Sequence, residues 1–249
     1  MNNILIVGCG HMGSALLESW IKDRNNQFTI VDPIKYKKKI QKYKKKNISA
    51  FSSISAIKTR TDFNIVLFAV KPQVASIAVN ELKILNLNKS CVVVSIIAGK
   101  KIKFFSKLLN NTKQIIRVMP NMPALINEGV SFISSTTNIS VKNKSKINKL
   151  FSKVGIVIWL NKEDDIDKAT AISGSGPGYV FYIIDAIEKA ADKLGLTNEI
   201  NREAIIQTFI GSLKLLKISK KKSIDLVENI AVKGGTTEAG ISVMKKNNI

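Results

Sequence analysis

The first 160 residues alternate between short apolar runs and segments whose apolar residues recur at three- and four-residue steps. Short apolar runs bounded by turn residues are typical of buried strands, and the periodic segments are typical of amphipathic helices. One helix is predicted directly after the first strand by Met12, Leu16, Leu17 and Trp20, and a basic helix is predicted over residues 141–153. The predicted strands are residues 4–7, 28–31, 64–70, 91–97, 114–118, 130–133 and 154–159.

From Glu163 onward the strand pattern disappears and only helical periodicity remains. A helical segment of roughly 85 residues is marginal as a core by itself, so we expect its apolar stripes to be buried against a second copy of the chain. Asn198 is a plausible N-cap for the third helix, and a second glycine-rich turn, residues 233–240, precedes a short tail. The predicted helices are residues 163–172, 178–194, 199–217 and 223–232.

The first strand runs into a glycine-rich turn, Gly8-Cys9-Gly10-His11-Met12-Gly13, and the second strand ends on Asp32. Gly8 permits the tight turn, Gly10 lets a pyrophosphate approach the backbone, and Gly13 lets the helix pack closely. The N-terminus of that helix supplies N–H donors to the anion. Strand, glycine turn, helix, strand and acid together are the dinucleotide-binding fingerprint. We therefore predict an α/β fold, with an N-terminal Rossmann-type dinucleotide-binding domain over residues 1–160 and an all-α dimerisation domain over residues 161–249.

The residues around Asp32 leave the choice of dinucleotide open. An acid at this position hydrogen-bonds the ribose hydroxyls and favours NAD over NADP. Lys35 and the run 37–39 follow directly and could neutralise a 2′-phosphate. His11 is the only histidine, and we interpret it as a loop side chain rather than a catalyst, because the backbone does the binding in this turn.

Three consecutive predicted strands end in turns that contain proline or glycine. In an open α/β sheet the ligand lies outside the carboxyl ends of the strands, so these turns should line one crevice. The turns are Lys71-Pro72-Gln73, Ala98-Gly99 and Met119-Pro120-Asn121-Met122-Pro123.

Composition narrows the class of protein further. A chain of 249 residues with 45% hydrophobic content can bury a substantial core, and no apolar run reaches the length of a membrane span. The apolar start runs into Gly8 rather than a cleavage site, so we expect no signal peptide. The only cysteines, Cys9 and Cys91, are interpreted as small buried residues at strand ends in a reducing compartment. We therefore expect a cytoplasmic protein without a membrane partner.

The formal net charge of +21 raises the possibility of a nucleic-acid partner. Arginine reads phosphates and bases with bidentate geometry, and it is scarce here. The lysines are spread over the whole chain, which favours a solvated surface over a binding patch. We therefore predict no nucleic-acid partner, although the charge attracts anionic cofactors in general. The arginines are Arg24, Arg60, Arg117 and Arg202.

Taken together, the motifs of this chain resemble those of the pyrroline-5-carboxylate reductase family, which performs the last step of proline synthesis. The resemblance covers nearly the whole length. Its first motif is shared by many dehydrogenases, whereas RVMPNMP together with SGSGPGYV is specific to the family. In chain order the motifs are GCGHMGSAL, FAVKPQ, SIIAG, IRVMPNMPALINEGVSF, TAISGSGPGYVF followed by KLGL, and KGGTTEAG.

The resemblance implies hydride transfer from NADPH or NADH to the imine of 1-pyrroline-5-carboxylate, giving L-proline. It also implies a homodimer, or a higher homo-oligomer of dimers, whose helical domains interleave. For the cofactor it implies pyrophosphate contacts at Gly8, Gly10, His11, Met12 and Gly13, a cleft lined by Val70, Lys71 and Pro72, and nicotinamide neighbours at Met119, Pro120 and Asn121.

The family's substrate site lies between the cofactor domain of one subunit and the helical domain of the other. The resemblance gives Thr237 the catalytic role of hydrogen-bonding the ring nitrogen. The N–H groups of the Gly-Gly turn then form a nest for the substrate carboxylate. A protonated imine is already electrophilic, so orientation and electrostatics suffice and no metal site is predicted. The matching substrate-facing residues are Ser173, Gly174, Ser175, Gly176, Pro177, Gly234, Gly235 and Thr236.

Structural alternatives exist for several of these side chains. The two serines could cap a helix, and Thr236 could cap the last helix. Arg117 is interpreted as a structural ion-pair partner rather than a substrate clamp. Tyr179 and Tyr182 follow helical spacing and are interpreted as core or dimer interface, and the role of Glu238 stays open.

Two departures from the family pattern bear on activity. Val232-Lys233 stands where the family has Ser-Pro, which removes a hydroxyl that helps hold the substrate carboxylate. Family members also continue through a further helix, whereas this sequence stops at Ile249. Both features favour weakened activity. Two alternatives therefore stay open: a related imine or small-acid NAD(P)-dependent oxidoreductase, and a catalytically weak cofactor-binding protein.

Overall fold

A computed structural model describes residues 2–34, 36–42, 47–57, 62–109, 114–195 and 198–248. The chain divides into two compact units, Met1–Gly178 (unit 1) and Tyr179–Ile249 (unit 2). Lys35, named above as a possible phosphate partner, lies outside the described residues. So do the side chains of Lys39 and of Asn198, the predicted cap.

Unit 1 is built on an eight-stranded sheet. All seven predicted strands are present, and Ile48–Phe51 is an additional one. The seventh strand runs antiparallel to the sixth, and all other neighbours are parallel. The strands are β1 (Asn2–Val7), β2 (Asn26–Val31), β3 (Ile48–Phe51), β4 (Ile65–Phe68), β5 (Val92–Ser95), β6 (Ile115–Pro120), β7 (Gly129–Ser135) and β8 (Gly155–Trp159).

The strand order is β3-β2-β1-β4-β5-β6-β7-β8. Its first six strands have the Rossmann order, and the order reverses between β1 and β4. Ligands of such sheets bind at this reversal, outside the carboxyl ends of the strands. The predicted Rossmann-type fold is confirmed.

Six described α-helices of unit 1 connect or follow these strands. The last of them leads into a π-helical turn, Thr170–Gly174, and then into the long helix α7 (Gly176–Lys193). Short 3-10 turns occur at Pro72–Val74, Leu82–Ile84, Met122–Ile126 and Ser152–Val154. The six helices are α1 (His11–Trp20), α2 (Tyr36–Lys42), α3 (Ala75–Glu81), α4 (Ile102–Leu108), α5 (Val141–Phe151) and α6 (Asp165–Ala169).

Alternation along the strands gives unit 1 two buried clusters, one on each face of the sheet. Ile4 and Ile6 of β1 belong to one cluster, and Leu5 and Val7 belong to the other. Successive side chains of a strand point to opposite faces, so a continuous apolar run fills both. Because helices cover both faces, the sheet is rigid where its strand ends must present a site.

Trp20 anchors the C-terminal end of α1 to α5. Its indole Nε1 donates to the carbonyl of Leu150 at 2.8 Å, and its ring meets Phe151 edge-on at 5.4 Å. Ser19 Oγ donates to the carbonyl of Lys153 at 3.0 Å. Because these contacts fix α1 at its far end, the N-terminal end beside the glycine turn has a defined position.

Unit 2 consists of most of α7 and three further helices, α8 (Asn198–Ser219), α9 (Ser223–Ile230) and α10 (Thr236–Lys246). The tail after the second glycine turn is therefore helical, which corrects the expected short tail. Among the described residues of unit 2, no apolar side chain is buried. Tyr179 and Tyr182 are 57% and 75% exposed, so they are not part of a core within one chain. None of the described helices is long and apolar enough to cross a membrane.

Replacing Trp20 with Phe should lower the free energy of unfolding by about 2–3 kcal/mol, because it removes a buried donor and leaves a cavity. The chain's other tryptophan is a matched control: Trp159 donates from its indole to the surface side chain of Asn148. Trp159→Phe should cost less than about 1 kcal/mol. Denaturant unfolding of both variants is the measurement, and equal losses would contradict the anchoring role of Trp20.

Both cysteines are fully buried, as predicted. Burial raises the pKa of the Cys91 thiol to about 12, so Cys91 carries no thiolate at neutral pH. Since the thiolate is the reactive form, the native protein should show no fast reaction with a disulfide reagent at pH 8, and both thiols should react after unfolding. Rapid native reaction of Cys91, located by mass spectrometry, would show that β5 is not packed as described.

Candidate active site

The glycine turn after β1 is held against the end of β4 at van der Waals distance. Gly8 has φ +92°, and a Cβ added there would lie 2.7 Å from the carbonyl oxygen of Ala69 and from Val70 Cγ1. Such contacts exclude any side chain, and the positive φ independently favours glycine. The turn that the sequence assigned to Gly8 is therefore confirmed, and Val70 lies directly beside it.

Gly13 allows a close packing contact, whereas Gly10 leaves open space beside the backbone. A Cβ on Gly13 would lie 2.5 Å from the Gly8 carbonyl oxygen, so α1 can pack this closely only with glycine there. A Cβ added to Gly10 would have no atom within 4 Å, and Gly10 is the N-cap of α1, with an extended backbone. This open space lies where the unpaired N–H groups of a helix N-terminus favour an anion. The geometry fits a dinucleotide pyrophosphate.

Asp32 is buried at the end of β2, and its carboxylate holds the glycine turn. Its Oδ2 accepts the N–H of Cys9 at 2.9 Å, and its Oδ1 accepts the N–H of Ile34 at 3.0 Å. The sequence predicted a role toward ribose only, so this internal role is an addition. A carboxylate oxygen can accept more than one hydrogen bond, so this internal role does not conflict with the predicted contact to ribose hydroxyls.

The other predicted cofactor residues are distributed around this turn. The His11 side chain is exposed, as expected of a loop residue, whereas Met12 packs partly on the core. Lys71 is exposed at the end of β4, and Pro72 begins a 3-10 turn. These positions face the strand ends at which the prediction placed a crevice.

Strand β6 extends further than predicted. The sequence ended it at Val118, but it continues through Met119 and Pro120, which pair with Phe132 and Ser131 of β7. Proline is tolerated there because β5 pairs with β6 only as far as Arg117, so Pro120 has a paired neighbour on one side only. As a result, Met119 and Pro120 are fixed by a sheet rather than by a flexible turn.

Asn121 follows β6 and is buried, with an exposed fraction of 8%. Its side-chain Nδ2 donates to the carbonyl of Ser173 at 3.1 Å, and its Oδ1 accepts the N–H of Val130 at 2.8 Å. The resemblance gave Asn121 a place near the nicotinamide. The structure additionally uses its side chain to join three segments of unit 1.

The π-helical turn Thr170–Gly174 brings the start of the TAISGSGPGYVF motif to the end of β6. Its defining bond runs from the N–H of Ser175 to the carbonyl of Thr170 at 3.0 Å. A Cβ on Gly174 would lie 3.6 Å from Met119 Cε, so these two predicted site residues are neighbours. The Ser173 hydroxyl donates to the carbonyl of Ala169 at 3.2 Å and does not cap a helix. Single π-helical turns occur frequently at functional sites.

Arg117 is a structural ion-pair residue, as predicted. It is buried, and its guanidinium lies 2.6 Å from Asp167 Oδ1 and 3.5 Å from Glu163 Oε1. Glu163 Oε1 also accepts the N–H of Ile102 at 2.7 Å, at the start of α4. The two acids belong to α6 and the turn before it, so this cluster holds the segment that leads into the π-helical turn.

In unit 2, the second glycine turn differs from the predicted nest. Gly234 has φ +77°, and its N–H is donated to Glu238 Oε2 at 2.7 Å. The N–H of Gly235 is donated to the carbonyl of Val232 at 3.0 Å. Both donors expected for a substrate carboxylate are thus bonded within the chain, one to Glu238 in the first turn of α10 and the other to the Val232 carbonyl.

Glu238 is the residue whose role the sequence left open, and a signal for it was present. The N-cap of α10 is Gly235, and Glu238 stands three residues later, the spacing of a capping box. Thr236 and Thr237 are the first two residues of this helix, so Thr236 is not the cap. Lys233 is exposed beside the turn.

Two family models match this chain. The model described as pyrroline-5-carboxylate reductase dimerisation matches residues 163–249. The model described as NADP oxidoreductase, coenzyme F420-dependent, matches residues 3–99, which contain the glycine turn and Asp32. One match lies within each of the two predicted domains.

Individual proteins match over nearly the whole length. The pyrroline-5-carboxylate reductase of Haemophilus influenzae is 30% identical over 243 residues, covering 96% of this chain and 88% of the relative. That of Aquifex aeolicus is 31% identical, with 97% and 88% covered. The crystal structure of the Plasmodium falciparum pyrroline carboxylate reductase, with NADP bound, has a TM-score of 0.85, 31% identity, and 99% and 90% coverage. This chain belongs to the pyrroline-5-carboxylate reductase family.

Proposed function

We propose that this protein is a pyrroline-5-carboxylate reductase that reduces the imine of 1-pyrroline-5-carboxylate to L-proline with NAD(P)H. The observation that carries the proposal is the match to enzymes of that name along almost the entire chain. The geometry of unit 1 supports it, because the glycine turn, Asp32 and the end of β6 are arranged around the carboxyl ends of neighbouring strands.

The chain's own residues would bind the cofactor in the manner of a Rossmann domain. The pyrophosphate would lie over the open backbone at Gly10, against the N–H groups of His11, Met12 and Gly13. Asp32 would meet the adenosine ribose, and Val70 would line the cleft with Lys71 and Pro72. Met119, Pro120 and Asn121 would lie beside the nicotinamide. When bound, NAD(P)H supplies the hydride.

The substrate residues orient an imine that is already activated. Residues 173–177 and 234–237 would surround the ring, and the Thr237 hydroxyl would hydrogen-bond the ring nitrogen. With the nitrogen protonated, a hydride adds to the imine carbon and the C=N double bond becomes a C–N single bond. The electron pair of the double bond moves to the nitrogen, which already carries its proton, so no separate general acid is needed. The contribution of the protein is therefore orientation and the exclusion of water.

The assembly we propose is a homodimer, through residues 161–249. The exposed apolar stripes of α7 to α10 support this, because such surface is unfavourable in water and a second copy would cover it. The family model for pyrroline-5-carboxylate reductase dimerisation, whose match begins at residue 163, supports a dimerisation region that starts near residue 161. In such a dimer each site would combine residues 119–121 and 173–177 of one subunit, which are neighbours within the chain, with residues 234–237 of its partner. We place the protein in the cytoplasm, where its cofactor is available and cysteines stay reduced.

The direct test is consumption of NADPH and of NADH by the purified protein with 1-pyrroline-5-carboxylate, with L-proline measured as the product. We expect turnover with at least one cofactor. Cofactor binding without turnover would overturn the proposal.

A second candidate, a reductase of related imines, is favoured by two observations: Val232 replaces the serine, and Glu238 accepts the Gly234 N–H. In the same assay, 1-pyrroline, which lacks the carboxylate, discriminates the two. We expect it to be reduced at least about tenfold less efficiently than 1-pyrroline-5-carboxylate, because even one hydrogen bond to a charged group contributes about 1.5–3 kcal/mol and 1-pyrroline has no carboxylate to form it. Equal efficiency would favour the second candidate.

Thr237→Ala should lower kcat/KM for 1-pyrroline-5-carboxylate by about tenfold to a hundredfold, since it removes one hydrogen bond at the reacting imine. The affinity for NAD(P)H, measured by fluorescence titration, should stay the same. Thr237→Ser is the matched control, because it retains the hydroxyl and should retain most of the activity. If Thr237→Ala turns over normally, Thr237 does not contact the imine.

A further inference from the structure

The carbonyl of Ser173 lacks the partner that a helix would normally give it. In an α-helix it would accept the N–H of the residue four positions later, and that residue is Pro177, which has none. The next N–H, that of Gly178, is donated to the carbonyl of Ser175 at 2.9 Å. A polar backbone group in a half-buried position is costly when it is left without a partner.

Asn121 supplies the missing donor from another part of the fold. Its Nδ2 lies 3.1 Å from the Ser173 carbonyl oxygen. Its amide orientation is determined by the partners on both sides, since Oδ1 accepts the N–H of Val130 at 2.8 Å. Rotating the amide by 180° would place a donor against a donor and an acceptor against an acceptor. The side chain is therefore locked between β6, β7 and the π-helical turn.

We propose that Asn121 is a positioning residue for hydride transfer, paired with Pro177. Proline at position 177 leaves the Ser173 carbonyl without an N–H donor from the helix. Asn121, at the end of the strand that carries Met119, supplies that donor. This inference rests on the proposed function, which puts Met119 beside the nicotinamide and residues 173–177 beside the substrate. The Asn121 bridge thus fixes the distance between the two reacting partners.

Gly174 lies in ordinary van der Waals range of Met119, since a Cβ there would be 3.6 Å from Met119 Cε. A side chain of one carbon at Gly174 would already be 2.9 Å from Thr170 Cγ2. In an oriented reaction, a displacement of about 1 Å costs on the order of a hundredfold in rate. Loss of the bridge should therefore affect kcat more than the binding of either ligand.

A double-mutant cycle tests the pairing: Asn121→Ala, Pro177→Ala and the double variant. Pro177→Ala restores an N–H that can satisfy the Ser173 carbonyl within the helix. We expect Asn121→Ala to lower kcat by about tenfold to a hundredfold when Pro177 is present, and by only about threefold when it is added to Pro177→Ala. The KM and the Kd for NAD(P)H should change less than kcat.

The thermal midpoint provides a second readout that needs no activity. Asn121→Ala should lower it by roughly 3–8 °C with Pro177 present, and by clearly less in the Pro177→Ala background, because the orphaned acceptor then has a new donor. A matched control is Asn143, which is equally buried at 5% and donates to the Ser90 carbonyl and to Gln114 Oε1, remote from these segments. Asn143→Ala should lower the midpoint comparably and leave kcat within about twofold.

The outcomes separate cleanly. Coupling in both kcat and the thermal midpoint supports the proposal. Coupling in the midpoint alone would show that the bridge is structural and would overturn the positioning role. Independent effects in both readouts would overturn the pairing itself. A wild-type protein without turnover would refute the proposed function instead, and the thermal cycle would still decide whether Asn121 replaces the donor that Pro177 lacks.

Discussion

The approach of the Gly8 backbone to the end of β4 is the constraint on which the rest of unit 1 depends. A side chain at Gly8 would collide with the Ala69 carbonyl, and one at Gly13 would collide with Gly8 itself. Because neither glycine has a side chain, α1 starts directly at the reversal of the strand order, and its free N–H groups face the crevice. Asp32 holds the turn from β2, and Trp20 fixes the other end of the helix. The glycine turn proposed to bind the cofactor is thus held in place by packing and hydrogen bonds within unit 1.

The end of β6 and the π-helical turn follow a different rule, in which side chains satisfy backbone and charged groups that local structure leaves unpaired. Arg117 balances two acids at the start of α6, and Asn121 satisfies a carbonyl that proline has orphaned. Buried polar groups cost free energy unless they are paired, so each bridge strongly specifies one arrangement. In unit 2, Glu238 plays a comparable part by bonding Gly234. A substrate carboxylate at that turn would have to replace the Glu238 carboxylate.

The parts of this account that the sequence predicted are those that depend on neighbouring residues. The strands, the glycine turn, the buried cysteines and the ion-pair role of Arg117 follow from apolar periodicity, from backbone sterics and from the cost of burying a charge. The bridges do not follow in this way. Nothing near Asn121 in the chain indicates that it reaches Ser173, and the partners of Arg117 lie in a distant segment. The extension of β6 through Pro120 likewise depends on pairing with β7, and the helix after Gly235 overrides a glycine-rich start.

The central claim is that the two motifs joined by Asn121 bring a nicotinamide and a cyclic imine together for direct hydride transfer. The most direct measurement uses NADPH and NADH that carry deuterium at both C4 positions, with 1-pyrroline-5-carboxylate and the purified protein. We expect L-proline with one deuterium, located by NMR on Cδ, the ring carbon that is bonded to the nitrogen and does not carry the carboxylate. Proline without deuterium, or cofactor oxidation without proline, would contradict it.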